Sequence, residues 1–253
     1  MNSILNYSLY IFFGILPSLL WLQFYLRKDV KPEPKAMILK IFFYGMLLTI
    51  PAIFLEKAFF EIEIKNLSPL LLSILNIFIG VAFIEEYLKF LLIKLKILKN
   101  PEFDEPVDAM IYMIIAALGF AAAENLLVLF SVGIQSSDGG GLLLPLLTPV
   151  FLGKIFEISL LRFLGATFLH ALSSAIIGFF IGLSFFEKEK RKSLILIGMI
   201  LAVLLHGLYN FSIIELGKGL NTLIIPFFLL IIAALFVSFG FKKLKKININ
   251  YKQ

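Results

Sequence analysis

The segment Ile84-Glu85-Glu86-Tyr87-Leu88-Lys89-Phe90 sets two adjacent carboxylates and an amine inside an otherwise apolar run from about Leu70 to Leu98. At mid-bilayer each such charge costs about 2.5–3.5 kcal/mol on an insertion scale. A membrane helix that keeps three of them is using them. Glu124-Asn125, His170, and His206 with Asn210 add mid-run polarity in three further apolar segments. Four helices thus each carry polar groups that need a common destination.

The chain around this segment has 253 residues, 60% apolar, 15% aromatic and only 16% charged. That balance lies outside the soluble range and fits a polytopic, all-α membrane bundle. No length remains for a separate soluble domain, so 1–253 reads as one integral-membrane domain. Cysteine is absent, which excludes disulfides, thiolate metal sites and cysteine nucleophiles. A net charge of +6 would suggest nucleic acid for a soluble chain. Here the basic residues cluster at helix ends, where they report topology, and no nucleic-acid partner is implied.

Runs of about 20 apolar residues are needed to cross a core of roughly 30 Å. Seven occur, near 7–26, 37–60, 70–96, 107–132, 159–186, 194–214 and 220–241. The first has no basic residue before it and no small-residue cleavage site after it, so it reads as a retained helix. Basic residues at 27–40, 94–99, 188–192 and 242–252 fall on one side. Lys57, Lys65, Lys154, Arg162 and Lys218 fall on the other. The positive-inside rule then predicts the N-terminus outside and the C-terminus in the cytoplasm. Between the fourth and fifth runs, Ser136-Ser137-Asp138-Gly139-Gly140-Gly141 is a flexible composition, and Leu142–Leu147 is too short to span. A re-entrant piece over about 142–152 and a plain exterior loop both fit.

Depth arithmetic brings the polar groups to one level. At 1.5 Å per residue His170 lies about 12 Å in from Arg162, taken as an outer-side marker of the fifth helix. His206 lies about 20 Å from Ser193, Glu124 about 24 Å from Asp108, and Glu85 about 14 Å from Lys94. All reach the outer half of the membrane. His206 and Asn210 share a face at i,i+4, as do Glu85 and Lys89. Glu85 and Glu86 are about 100° apart on the axis, which predicts that they do not aim at the same point.

Each feature also has a plainer reading. A glutamate with Lys89 makes a structural ion pair, a lone membrane histidine bonds two helices, Asn125 and Asn210 act as helix glue, and Ser173 and Ser174 pack as small residues. Together they are harder to dismiss. Three buried glutamates alone cost about 8–10 kcal/mol, comparable to a whole folding stability of about 5–15 kcal/mol, and both histidines of the chain lie within apolar runs.

Glutamate and histidine at one depth can share a water and take its proton, producing hydroxide for attack on a carbonyl. A neighbouring histidine and asparagine can hydrogen-bond the resulting oxyanion. The same groups can hold zinc, although no His-Glu-x-x-His helix is present. A proton or ion pathway of a carrier, or a scaffold that binds a partner helix, uses the same residue types.

Several motifs in register resemble the PrsW-type intramembrane proteases, a family related to the CAAX prenyl-protein endopeptidases. They are Glu85-Glu86-x-x-Lys89, Pro106-x-Asp108 leading to Tyr112, Gly119-Phe120-Ala121 followed by Glu124-Asn125, His170-Ala171 with Gly178 downstream, and His206-Gly207-x-x-Asn210. The Asp29–Pro34 stretch, ending Pro32-Glu33-Pro34, resembles the family's first loop, and the resemblance covers about 25–212. It implies an intramembrane peptidase of a bacterial or archaeal cytoplasmic membrane, acting on a membrane-protein substrate such as a single-pass anti-sigma factor from the outer side. By the same resemblance Glu85 is the water-activating base, Glu86 its partner beside Lys89, and His170 a second water ligand. His206 and Asn210 are oxyanion donors, and Glu124 belongs to the pattern without a clear role. Ala109, Met113, Val128 and Ser173 depart from the family's usual residues at lining positions, which bears on substrate choice. Glu-Glu-x-x-Lys in place of Glu-Glu-x-x-x-Arg separates the chain from true prenyl-protein endopeptidases.

Overall fold

The computed structural model describes residues 2–29, 31–63, 66–136, 149–215 and 220–251. Among them every regular element is helical, joined by short turns, and seven stretches are long and apolar enough to cross a membrane. These are Tyr7–Leu26, Lys35–Phe60, Pro69–Lys96, Asp108–Gly133, Pro149–Ser184, Lys188–Glu215 and Leu223–Ile247. The seven spans read from hydropathy are all present. The Gly-rich 137–141 segment and the short run after it lie outside the described residues, so a re-entrant piece beginning near 142 is not at issue before Pro149, where a helix starts.

Helix α1 (Asn2–Leu26) is followed by α2 (Lys35–Leu47) and α3 (Thr49–Phe60). The last two are one apolar run interrupted at Leu48. Pro51 has no N–H to offer the carbonyl four residues back, and Thr49 instead turns its hydroxyl onto the Met46 carbonyl at 2.8 Å. The third span begins at α4 (Pro69–Leu75), started by Pro69 in its first turn and by Ser68, whose hydroxyl accepts from the Leu71 N–H at 3.3 Å. It then widens into a π-helical stretch (Asn76–Phe83) before tightening into α5 (Ile84–Lys96). A π segment rotates everything beyond it about the helix axis. Here that rotation comes one residue before Glu85.

Helix α6 (Asp108–Ser136) is the central post, with Ala109 to Ala122 almost wholly buried. It packs against α1, α2 and α8 (Ala166–Ser184). The turn that leads into it is braced by its first residue: Asp108 Oδ2 accepts from the backbone N–H of Glu105 at 2.7 Å and of Asp104 at 3.1 Å. Helices α9 (Arg191–Glu215) and α10 (Leu220–Tyr251) close the bundle against α8.

The fifth span differs from its sequence reading. The expected helix from about 159 to 186 is two helices, α7 (Pro149–Leu164) and α8, broken at Gly165, where φ is −108° and ψ is −95°. A Cβ at Gly165 would lie 2.3 Å from the Tyr209 hydroxyl and 2.9 Å from the Leu161 carbonyl. Tyr209 of α9 therefore presses on backbone that only glycine leaves open. Hydropathy runs unbroken through this point, which is why composition alone joins the two helices. The end of α7 is pinned to α1: Trp21 donates to the Phe163 carbonyl at 2.8 Å and stacks on Phe168 at 4.0 Å, and Ser159 donates to the Phe13 carbonyl at 2.8 Å. Arg162 consequently belongs to α7 and is not a depth marker of the helix that carries His170.

Candidate active site

Helices α5, α6, α8 and α9 converge on one buried polar cluster. Its centre is Lys89, fully buried, whose Nζ donates to Glu86 Oε1 at 2.9 Å, to Glu85 Oε2 at 3.2 Å and to His170 Nδ1 at 2.9 Å. The ammonium also lies 4.4 Å from the centre of the Phe120 ring. Glu85 and Glu86 thus do converge, against the expectation from their 100° separation. Lys89 sits at i+4 from one and i+3 from the other, between their two directions, and both side chains are long enough to close the remaining angle.

Glu86 is saturated. Besides Lys89 it accepts from Ser173 Oγ at 3.0 Å, from Ser174 Oγ at 2.7 Å and from His206 Nδ1 at 3.0 Å. A carboxylate held by an ammonium, two hydroxyls and an imidazole is fixed in position. Glu85 is different: among the described residues only Oε2 is engaged, and Oε1 takes no hydrogen bond. The same Oε2 lies 3.6 Å from His170 Nδ1 and 3.9 Å from His206 Nε2.

These bonds fix the imidazole tautomers. An ammonium has only hydrogens to give, so His170 Nδ1 is an acceptor and its Nε2–H donates to Glu124 Oε2, at 2.7 Å. Both ring nitrogens of His170 are therefore occupied. His206 Nδ1–H donates to Glu86, which leaves its Nε2 facing Glu85. The two rings meet edge to face at 5.0 Å between centres.

Glu124 gains the role that sequence reading left open, that of orienting His170. It is in turn held by Arg162, whose Nη2 lies 3.3 Å from the same oxygen and whose Nε donates to Asn125 Oδ1. Asn125 donates to Thr167 Oγ1 at 3.1 Å, so it ties α6 to α8 and α7. Side chains of Glu124 and Arg162 are 29% and 19% exposed, against no more than 4% for Glu85, Glu86 and Lys89. The cluster opens on the side where Glu124 and Arg162 stand. Asn210 is half-buried and makes no hydrogen bond to another described residue, so the cluster as it stands does not include it.

Three members of this cluster escape the sequence reading. Ser173 and Ser174, one turn after His170, read as packing residues because a hydroxyl on a membrane helix usually bonds its own backbone. Arg162 was assigned to the membrane surface.

The family's first-loop motif and the start of α6 form a second polar group, about 24 Å along α6 from Glu124. Tyr112 donates its hydroxyl to Glu33 Oε2, and Lys31 pairs with Asp104 at 2.8 Å. Burial holds the Glu33 carboxyl above the usual carboxylate range, although the Tyr112 bond works against this. These residues tie the loop before α2 to the foot of α6.

Residues 33–239 match the family described as PrsW family intramembrane metalloprotease. The chain belongs to the PrsW family. It is similar to the Protease PrsW of Oceanobacillus iheyensis, 29% identical over 239 residues that cover 94% of this chain and 95% of that protein. The Bacillus subtilis Protease PrsW is 28% identical over 235 residues, 92% and 93% of the two chains, and that of Geobacillus kaustophilus 29% over 202 residues, 79% and 78%. No solved structure matches. Membership of the PrsW family makes the chain an intramembrane protease and a multi-pass membrane protein.

The family's description as metalloproteases poses a question of fit. One donor atom each from Glu85, Glu86, His170 and His206 lies within 4.8 Å of the others, and imidazole nitrogen with carboxylate oxygen is a zinc ligand chemistry. The position among them is taken, however. Lys89 Nζ bonds three of the four donors, and an ammonium and a divalent ion repel too strongly to share those oxygens. With Lys89 in place the set does not fit a metal ion.

Proposed function

We propose that the chain hydrolyses a peptide bond of a membrane-protein substrate with a water activated by Glu85, in the outer half of a bacterial or archaeal cytoplasmic membrane. The observation that carries this reading is the contrast between the two adjacent carboxylates. Glu86 accepts four hydrogen bonds over its two oxygens, while Glu85 has a single hydrogen bond, to Oε2, and that oxygen stands 3.9 Å from the bare Nε2 of His206. A contact of 3.9 Å between such groups is where a shared water belongs.

In the reaction, Glu85 takes a proton from that water and the hydroxide oxygen bonds to the scissile carbonyl carbon. The carbonyl oxygen becomes an oxyanion, received by the Asn210 amide, which is free of other described partners and one turn along α9, and by His206 once its Nε2 has taken a proton from solvent, which returns there when the intermediate collapses. Glu85 then gives its proton to the amide nitrogen as the C–N bond breaks, leaving a carboxylic acid and an amine. Glu86, Ser173, Ser174 and Lys89 hold the geometry, and the Arg162–Glu124 pair keeps His170 in one tautomer. The substrate enters from the side where Glu124 and Arg162 are exposed.

By the family resemblance the substrate is a single-pass protein of the anti-sigma factor type, cut first from the outer side. The test is reconstitution of the purified chain in liposomes with such a protein, and mass spectrometry of the products. A cut within, or a few residues outside, the outer end of the substrate's membrane segment supports the reading. A cut at its cytoplasmic end, or none in any single-pass substrate, refutes it.

A further inference from the structure

Lys89 stands where a set of metal ligands would hold its ion. Its Nζ contacts Glu86 Oε1 and His170 Nδ1 at 2.9 Å and Glu85 Oε2 at 3.2 Å, and Phe120 covers it at 4.4 Å. The fourth donor, His206, is tied to the same Glu86 oxygen at 3.0 Å. We propose that the Lys89 ammonium is the resident cation of this site, and that Glu85, Glu86, His170 and His206 take up a divalent metal ion only when it is withdrawn.

The grounds are geometric and electrostatic. Lys89, Glu85 and Glu86 share α5 at spacings that force the ammonium between the two carboxylates, so it does not need another element to deliver it. All three side chains are no more than 4% exposed, which removes the solvent that would let Lys89 swing out and pair elsewhere. A unit charge within about 4 Å of a divalent ion at an effective dielectric of about 20 lowers the ion's affinity by several orders of magnitude. What remains when the charge is removed is two imidazoles and two carboxylates, a donor set suited to zinc. Residue 89 therefore decides whether the cluster is an ammonium site or a metal site. The inference concerns the same side chains as the proposed hydrolysis but is measured without substrate, so either can fail while the other stands.

The experiment is zinc binding by the full purified chain in detergent, by titration and by elemental analysis after dialysis. The wild-type chain is expected to retain no tightly bound zinc. Lys89→Met is expected to bind one zinc per chain about 100-fold or more tighter, to lose it again on His206→Ala, and to melt at a higher temperature with zinc than without. Lys89→Gln, which keeps a polar side chain at the position, makes the same test should the methionine variant not accumulate. One tightly held zinc per wild-type chain, lost on His206→Ala, would overturn the proposal. So would folded Lys89 variants that bind zinc no better than wild type.

Discussion

Ser174 Oγ of α8 donates to Glu86 Oε2 of α5 at 2.7 Å, while its neighbour Ser173 reaches the other oxygen of the same carboxylate at 3.0 Å. Two adjacent residues of one helix thus clamp one buried side chain of another. Replacing either serine leaves a buried carboxylate oxygen short of a donor, which costs about 1–3 kcal/mol. Ser174→Ala should lower the melting temperature by about 2–4 °C for each kcal/mol lost and leave Glu86 Oε2 without a side-chain donor while Ser173, Lys89 and His206 hold Oε1. An unchanged melting temperature would return Ser174 to a packing role.

The contact between α2 and α6 admits no side chain at Gly119. A Cβ there would lie 2.0 Å from the Phe42 carbonyl oxygen and 2.9 Å from its carbon, both backbone atoms that cannot rotate away, whereas at Gly153 nothing lies within 4 Å. Gly119→Ala should destabilise by about 1–3 kcal/mol or more, and Gly153→Ala should be neutral or slightly stabilising. Thermal unfolding of the two in the same detergent makes the comparison. Equal melting temperatures would mean the two helices are further apart.

Glu33 gives a pH dependence with a definite sign. Its carboxyl holds its proton more firmly in the folded protein than in an unfolded chain, because burial opposes its charge. Below the ordinary carboxylate value both states are protonated and nothing is lost. As pH rises above it, the unfolded chain ionises first and the folded protein loses stability, until Glu33 itself ionises. Glu33→Gln keeps an acceptor for the Tyr112 hydroxyl and removes that loss. It should therefore raise the melting temperature near pH 8 and have little effect near pH 4. Stabilisation that is greatest at the acid end would reverse the assignment.

Orientation rests on the distribution of Lys and Arg, and it has its own test. The chain has no cysteine, so single cysteines at Ser137 and Ser193 report without background. An impermeant thiol reagent applied to intact cells should label only the cysteine at 137. Labelling at 193 alone would invert the topology.

The seven spans were legible because each is an apolar run of sufficient length. The meeting of Glu85, Glu124 and His206 was legible because rise per residue converts sequence distance into depth, whereas the depth of His170 was reckoned from Arg162, which belongs to another helix. What escaped follows from the limits of those two rules. Hydropathy continues through Gly165, and the break falls at a glycine whose Cβ position is closed off by the Tyr209 hydroxyl of another helix. Angular arithmetic places Glu85 and Glu86 apart because it treats a side chain as a point on a cylinder, and Lys89 gathers both. The i,i+4 rule sets Asn210 one turn from His206, where no described residue takes its amide, so its role awaits a substrate. Arg162 looked like a surface charge until α7 turned it onto Glu124.

Glu85 as the source of hydroxide is tested most directly by the rates of two variants on one cleaved single-pass substrate, each first shown to melt like wild type. Glu85→Gln should leave no turnover above background, while Asn210→Ala, which removes one oxyanion donor, should retain activity about 100- to 1,000-fold below wild type. Wild-type rates from folded Glu85→Gln would contradict the proposal.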